Sequence, residues 1–302
     1  MNIIWQGYIF AVISSVFSAI YVVPKKLSKQ KPVTYAMIMG CGYLIAASLG
    51  YVILRTLNII DEPLFFPRAY LACINGIVWA VASVAVLSSI DRIGLAKSNQ
   101  WKSLQGPVGS LLMMVFLSEF LTANAVFLVL AIIVITLAAM MFSTREKSTR
   151  GLDKRGILYA LIAAVFYGIS ALLSKMLTLD GLLFSQQIYQ AMFIVIATAF
   201  YQLVRYKTLK PAVPGTSKMR REIVLPLIGG VLFFGNGSFN VLAYRYLEGS
   251  IAFMMHQLNA IWLFLIGVLI FKEIDFKKHR TRLLTGLALS VAGMLLLVLA
   301  KV

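Results

Sequence analysis

The sequence predicts an all-α integral membrane protein in which ten transmembrane helices form two inverted five-helix repeats. Three observations support this fold. The 302 residues are 60% hydrophobic and only 13% charged, with a mean hydropathy of +0.88, whereas soluble domains are roughly half apolar and about a quarter charged. Several apolar runs reach the length of about 20 residues that a helix needs to cross a bilayer. The second half of the chain also repeats features of the first half in the same order.

The apolar runs are continuous and do not alternate, so they are typical of membrane helices and not of transmembrane strands. We expect helices at residues 5–23, 33–57, 69–90, 94–118, 122–142, 156–177, 182–204, 223–246, 249–271 and 283–300.

The connections between these runs predict the topology. Of the Lys and Arg residues, 21 fall in connections that follow odd-numbered runs and 5 fall on the other side. Cytoplasmic loops collect Lys and Arg, so we place the odd connections in the cytoplasm and both termini outside, in a cytoplasmic membrane. Because the bases follow this pattern, the net charge of +17 indicates membrane topology and not nucleic-acid binding.

The first helices carry clear local signals. Helix 1 ends at Pro24, which cannot continue a helix, before a basic turn. Helix 2 contains Gly40, Gly42 and Gly50 among other small residues, and small residues let membrane helices approach closely. Helix 3 contains Asn75, close to the Gly and Trp discussed below.

Helix 4 has Gly106-Pro107 in its middle. A proline there frees a backbone carbonyl and bends the helix, as at the binding sites of many transporters, although close helix packing explains the dipeptide equally well. Helix 5 is apolar and has no such signal.

Helices 6 to 10 repeat the first five. Gly7 and Ala11 match Gly156 and Ala160, and Glu119 matches Glu273, at offsets of about 149–154 residues that the whole chain keeps. We therefore divide the chain into a first repeat (1–142), a central cytoplasmic loop (143–155) and a second repeat (156–302). Five helices is an odd number, so the second repeat is inverted, and inverted repeats usually bind substrate between them at mid-membrane.

This organisation resembles the drug/metabolite transporter superfamily of EamA-like proteins. Residues 76–120 are most similar to its glucose/ribose porter and rhamnose porter branch, through Gly76, Trp79, Ile93-Gly94 and Glu119. The resemblance implies a secondary transporter that moves a small polar metabolite, either a sugar or a small organic anion, by alternating access. Export of amino acids or of other metabolites and drugs is the alternative, and a non-transporting sensor or scaffold is a third reading.

The candidate substrate site lies on helices 4 and 9. Residues at i and i+3 share a helix face, which pairs Lys102 with Gln105 and, in the repeat, His256 with Asn259. Further candidate contributors to the site are Trp79, Trp101, Asn236, Asn240 and Gln257.

A charge in a membrane span usually faces protein or water and is functional. The spans contain no central carboxylate, so Lys102 either binds an anionic group of the substrate or has a structural role. His256 either carries a coupling proton or only forms hydrogen bonds.

The remaining polar residues of the spans are placed nearer the membrane faces. Lys97, Glu119 and Glu273 are candidates for coupling or gating, and Gln186, Gln187 and Gln190 are expected near one face. Cys41 and Cys73 are read as small buried side chains. The sequence has no phosphate-binding loop, nucleophile motif or zinc spacing, so we expect neither an enzyme nor a cofactor or metal. Proton or ion coupling and a homodimer are left open.

Overall fold

A computed structural model of the chain describes residues 3–93, 98, 101–121, 124–142, 153–209, 216–270 and 276–301. Within these residues every regular element is helical. In chain order the helices are α1 (Ile3–Ile20), α2 (Val23–Leu27), α3 (Pro32–Thr56), α4 (Ala69–Ile93), α5 (Gln105–Phe116), α6 (Ala125–Phe142), α7 (Lys154–Leu179), α8 (Ser185–Tyr206), α9 (Thr216–Tyr246), α10 (Gly249–His256), α11 (Asn259–Leu269) and α12 (Phe276–Lys301), with one 3₁₀ turn at Glu119–Leu121.

Seven membrane spans can be identified in the described part of the chain by length and hydropathy. They are the α1–α2 segment (Ile4–Leu27), α3, α4, α7, α8, α9 and α12. Two further apolar helices, α5 and most of α6, are shorter. The protein is therefore all-helical and multi-pass, while the count of ten spans stays a prediction.

The fourth apolar run is broken where its proline predicts a bend. Residues 101 and 102 are helical, Ser103 and Leu104 form a turn, and α5 begins at Gln105. Pro107 has no N–H to donate to the Ser103 carbonyl four residues earlier. The N–H of Gly106 bonds that carbonyl instead, at 3.3 Å.

The expectation of one continuous helix over residues 249–271 is wrong. α10 ends at His256, Gln257 and Leu258 form a turn, and α11 starts at Asn259. No proline is present. The side-chain amide of Gln257 donates to the Phe253 carbonyl at 3.3 Å, and its backbone N–H bonds Met254 at 3.0 Å. A side chain that donates to a backbone carbonyl in this way competes with the backbone N–H that would bond the same carbonyl in a continuous helix. The two breaks lie 154 residues apart, at equivalent positions of the predicted repeat.

The helices pack in pairs around the two breaks. α4 packs on α7 and α8, α1 and α3 pack on α9, and α3 packs on α8. The broken segments meet through α5 and α10, and α6 packs on α12. Small residues permit the closest crossings: a Cβ on Gly42 would collide with the backbone of Leu227, and one on Gly168 would come within 2.9 Å of the Gly109 nitrogen. The close approach expected of helix 2 is thus present at Gly42.

Candidate functional site

A small cavity of about 80 Å³ lies at the level of the two helix breaks. Its walls come from most of the helices that pack around the breaks. The lining residues are Ser18, Tyr21, Tyr43, Trp79, Lys102, Gln105, Tyr167, Ser170, Ala171, Ser174, Gln187, Gln190, Phe233, Asn236, Gly237, Asn240, Val241, Phe253 and His256. This central cavity combines amides, hydroxyls and aromatic rings, and none of these lining residues is a carboxylate.

Lys102 is the one lysine or arginine among these lining residues. Its Nζ lies 5.3 Å from the centroid of the Tyr167 ring, a distance at which the face of an aromatic ring attracts an ammonium group. The Tyr167 hydroxyl lies 3.1 Å from Ser83 Oγ on α4. This contact fixes the ring from its far end and so fixes the face that Lys102 meets.

His256 ends α10 and is held by a polar pair. Ser14 Oγ lies 3.0 Å from His256 Nδ1 and donates to Asn236 Oδ1 at 3.1 Å. Ser14 therefore links the His256 ring on α10 to Asn236 on α9 and fixes the orientation of the imidazole. Phe253 stacks on the imidazole at 6.2 Å between centroids.

Three glutamines are oriented by neighbouring side chains. The Tyr43 hydroxyl approaches Gln190 Oε1 at 3.1 Å and Gln187 Oε1 at 3.4 Å. Gln105 Nε2 donates to Gln257 Oε1 at 3.1 Å. Because one end of each amide is fixed in this way, the amides are held in defined orientations at the cavity wall.

The serines of the α7 wall are fixed by Asn75, which is fully buried on α4. Asn75 Nδ2 donates to Ser174 Oγ at 2.9 Å, and Ser170 Oγ donates to Asn75 Oδ1 at 2.5 Å. Both ends of the Asn75 amide are therefore used to position hydroxyls of the central cavity.

An aromatic cluster forms the apolar wall. The Phe233 ring lies 4.5 Å from Trp79, 4.8 Å from Tyr43 and 5.1 Å from Tyr21, measured between centroids. The Tyr43 ring meets Phe233 edge to face, an arrangement that aromatic pairs favour. The rings therefore pack on one another and give the cavity an apolar surface beside the amides that Tyr43 contacts.

The structure brings most of the predicted site residues together. Those that line the central cavity are Lys102, Gln105, Trp79, Asn236, Asn240 and His256. Gln257 and Asn259 lie behind it, where Gln257 contacts Gln105 and Asn259 Nδ2 donates to Ser18 Oγ at 3.0 Å. Trp101 does not line the cavity.

Gln187 and Gln190 line the central cavity, and the expectation that they lie nearer a membrane face stays a prediction. They sit in the first turns of α8, which packs on α3 and α4. Gln186 faces elsewhere and donates to Thr178 Oγ1 at 3.3 Å.

Of the gating candidates, Glu119 does not line the central cavity. The Glu119 carboxylate is buried and accepts hydrogen bonds from the N–H groups of Gly249 at 2.6 Å and Ser250 at 2.9 Å. It therefore caps the start of α10, where a negative charge is stabilised by the helix dipole. Lys97 and Glu273 lie outside the described residues.

The residues that sequence reasoning missed are mostly aromatic or hydroxyl side chains of the cavity wall. They are Ser18, Tyr21, Tyr43, Tyr167, Ser170, Ser174, Phe233 and Phe253. An aromatic or serine in an apolar helix has no distinguishing local pattern, because the same residues pack between helices or lie in the membrane interface.

The fold and the cavity define a multi-pass membrane transport protein. Residues 68–300 match the family model described as "Sugar transport protein", and since the match covers most of the chain, the chain belongs to this family. The sugar-transporter part of the expected resemblance is confirmed, and membership of the wider EamA-like superfamily stays a prediction.

Relatives named as probable glucose uptake proteins occur in several bacteria. The chain is 25% identical over 267 residues to the probable glucose uptake protein GlcU of Priestia megaterium, covering 85% of this chain and 89% of the relative. It is 22% identical over 277 residues to a protein of that name from Bacillus cereus (strain ATCC 10987 / NRS 248), covering 88% and 90%. A solved structure described only as "Crystal structure of protein" matches with a TM-score of 0.69 at 14% identity, over 99% of this chain and 98% of that one. That last match supports the fold alone.

Proposed function

We propose that this protein is a secondary transporter that moves a neutral monosaccharide across the cytoplasmic membrane by alternating access. The observation that carries the proposal is the central cavity at two broken helices, whose lining combines amides and hydroxyls with aromatic rings. Amides and hydroxyls both donate and accept hydrogen bonds, as sugar hydroxyls require, and aromatic faces suit the apolar C–H surface of a sugar ring.

The environment of Lys102 supports a neutral substrate. An anion would supply a counter-charge, but the Tyr167 face at 5.3 Å already gives the ammonium an attractive partner. Lys102 then acts as a hydrogen-bond donor to a sugar hydroxyl. The matching relatives are named as probable glucose uptake proteins, which favours a hexose.

The pairing of the helices supports inverted repeats. The contact of α4 with α7 has its counterpart in that of α9 with α1, and the contact of α3 with α9 in that of α8 with α4. The two breaks and the α6–α12 pair fit the same symmetry. This set of helix contacts is unchanged when each of the ten apolar runs is replaced by the run five places further along the chain. Such repeats rock around a fixed central site.

The small volume of the cavity fits a substrate site that is closed. Ligand sites usually enclose roughly 300–1,000 Å³, and the central cavity has about 80 Å³. We therefore expect the two bundles to separate on one side before a hexose binds.

Uptake by the reconstituted protein tests this function. Proteoliposomes should accumulate labelled glucose or another neutral hexose with saturation, and Lys102→Gln should reduce uptake at least tenfold, since a hydrogen bond to a charged group contributes about 1.5–3 kcal/mol. Lys154→Gln, an exposed change outside the cavity, is the matched control and should transport normally.

The same assay separates the rival substrates. Uptake of a small carboxylate or phosphate ester, lost in Lys102→Gln, with no uptake of any hexose, would replace the sugar by an anion. The pH dependence of uptake, measured also in His256→Gln, tests whether His256 carries a coupling proton.

A further inference from the structure

A second and larger cavity, of about 1,020 Å³, lies at the end of the bundle where α3 ends and α8 begins. We call it the outer vestibule. Its walls are residues 59–63, 66–68, 178–183, 244 and 245. By the charge bias of the connections, this is the non-cytoplasmic end.

The outer vestibule stands directly above the central cavity. On α7, Thr178 lines the vestibule and Ser174 lines the central cavity. On α9, Tyr244 lines the vestibule and Asn240, four residues earlier, lines the central cavity. Four residues are about one helical turn, or roughly 5.4 Å. A barrier of about one turn therefore separates the two spaces.

Polar side chains of the first turn of α8 lie at the barrier. Gln187 lines the central cavity and its Nε2 donates to the carbonyl of Leu183 in the vestibule wall at 3.1 Å. Gln186 Nε2 donates to the Leu182 carbonyl and to Thr178 Oγ1, the latter at 3.3 Å. The barrier between the two spaces therefore contains polar groups that can bond a passing hydroxyl.

The vestibule wall carries groups suited to hydroxyls. Arg68 contacts both Asp180 carboxylate oxygens, at 3.2 and 3.3 Å. The Glu62 carboxylate is 6% exposed; its Oε2 accepts from the N–H groups of Phe184 and Ser185 at 2.8 and 3.0 Å. The other oxygen, Oε1, has no hydrogen-bond partner among the described residues.

Below the barrier, the Asn240 side chain lies beside the Tyr244 hydroxyl of the vestibule wall. A passing hydroxyl would therefore meet Glu62 on one side of the barrier and the Asn240 amide on the other.

We propose that the outer vestibule is a second sugar-binding site, which takes a neutral monosaccharide from the outside and passes it through the one-turn barrier to the central cavity. The inference rests on the proposed sugar transport and adds the site and side of access. The volume is in the range of ligand sites, and the wall offers carboxylates, an arginine and backbone carbonyls to hydroxyl groups.

Cysteine labelling tests the vestibule. In a Cys41→Ser, Cys73→Ser background, Leu179→Cys is placed in the vestibule wall, where Leu179 is 63% exposed. Leu57→Cys is the matched control, because Leu57 is 62% exposed, follows α3 at the same end and does not line the vestibule. A bulky membrane-impermeant maleimide, added outside right-side-out vesicles, should label both cysteines.

Labelling of Leu179→Cys should reduce hexose uptake at least tenfold, and saturating hexose should slow that labelling severalfold. Labelling of Leu57→Cys should leave uptake unchanged. Normal uptake by fully labelled Leu179→Cys, or labelling of that cysteine only from the cytoplasmic side, would overturn the proposal. Uptake by the unlabelled variants reports separately on the transport function, so the two failures are distinguishable.

Discussion

At the scale of the residue, Asn75 is the side chain on which two cavity hydroxyls depend. Asn75→Ala removes the partner of both Ser170 and Ser174. A buried polar group left without a partner costs about 1–3 kcal/mol. We expect a lower unfolding temperature in detergent, and a raised KM for sugar uptake because both serines line the central cavity.

Ser88→Ala is the control for this prediction. Ser88 is on the same helix, but its hydroxyl bonds only the Val84 carbonyl one turn earlier. Its loss should change stability by no more than about 0.5 kcal/mol. An Asn75→Ala protein that unfolds at the wild-type temperature and keeps its KM would show that the serines are positioned by other groups.

The same scale shows how far sequence reasoning reaches into the site. Lys102 and His256 could be found because charge and imidazole are costly in a membrane and therefore conspicuous. Tyr43 and Tyr167 could not, since an aromatic ring in an apolar helix is compatible with many positions. Their role depends on where the helices cross, which only the assembled bundle determines.

At the scale of the element, two glycines permit equivalent helix crossings. A Cβ at Gly76 on α4 would collide with the carbonyl of Gln190 on α8, and a Cβ at Gly230 on α9 would collide with the carbonyl of Met39 on α3. The two glycines lie 154 residues apart, at the offset of the predicted repeat, and both are points where two backbones touch.

Gly76→Ala should therefore destabilise the protein and reduce uptake. Overpacking a close contact costs about 1–3 kcal/mol, and the carbonyl that must move belongs to Gln190, which lines the central cavity. Gly230→Ala should behave alike, because its Cβ would lie 2.5 Å from the nitrogen of the cavity residue Tyr43. Thermal unfolding and hexose uptake measure both effects.

Gly229→Ala provides the comparison on the same helix. Its Cβ would come within 2.8 Å of the Tyr35 hydroxyl, the end of a side chain, and otherwise no closer than 3.4 Å. Alanine also favours the helix by up to about 1 kcal/mol. Equal losses in Gly229→Ala and Gly76→Ala would mean that backbone contact is not the cause.

The elements also show where sequence reasoning stops. Pro107 signals the break in the fourth run, since it removes a backbone donor. The ninth run has no such residue, and its break follows from a competing bond made by the Gln257 side chain. A glutamine in a helix carries no sequence signal for that choice.

At the scale of the whole molecule, buried carboxylates join the two halves at opposite ends of α3. After α3, Glu62 accepts from the N–H groups at the start of α8. Before α3, Glu222 Oε2 accepts from Ser28 Oγ at 2.5 Å and from the N–H of Lys29 at 2.9 Å. Each carboxylate belongs to one half of the chain and accepts hydrogen bonds from the other half. Each therefore stabilises closure at its own end.

Alternating access then predicts opposite effects for the two carboxylates. Hydrogen bonds to a charged group contribute about 1.5–3 kcal/mol, and about 1.4 kcal/mol is a tenfold change in an equilibrium. Glu222→Gln should favour opening at the end predicted to be cytoplasmic about tenfold, and Glu62→Gln should favour opening at the end predicted to face outside by a similar factor. The reporter is Ala171→Cys, a small buried residue of the central cavity.

The rate of alkylation of this cysteine by an impermeant maleimide measures each opening, in inverted and right-side-out vesicles lacking Cys41 and Cys73. Glu222→Gln should raise the rate from the cytoplasmic side and lower it from the outside, and Glu62→Gln should do the reverse. Acceleration from the same side in both variants would contradict the opposed gates. The two ends of one central site must open in turn, because opening both together would make a leak.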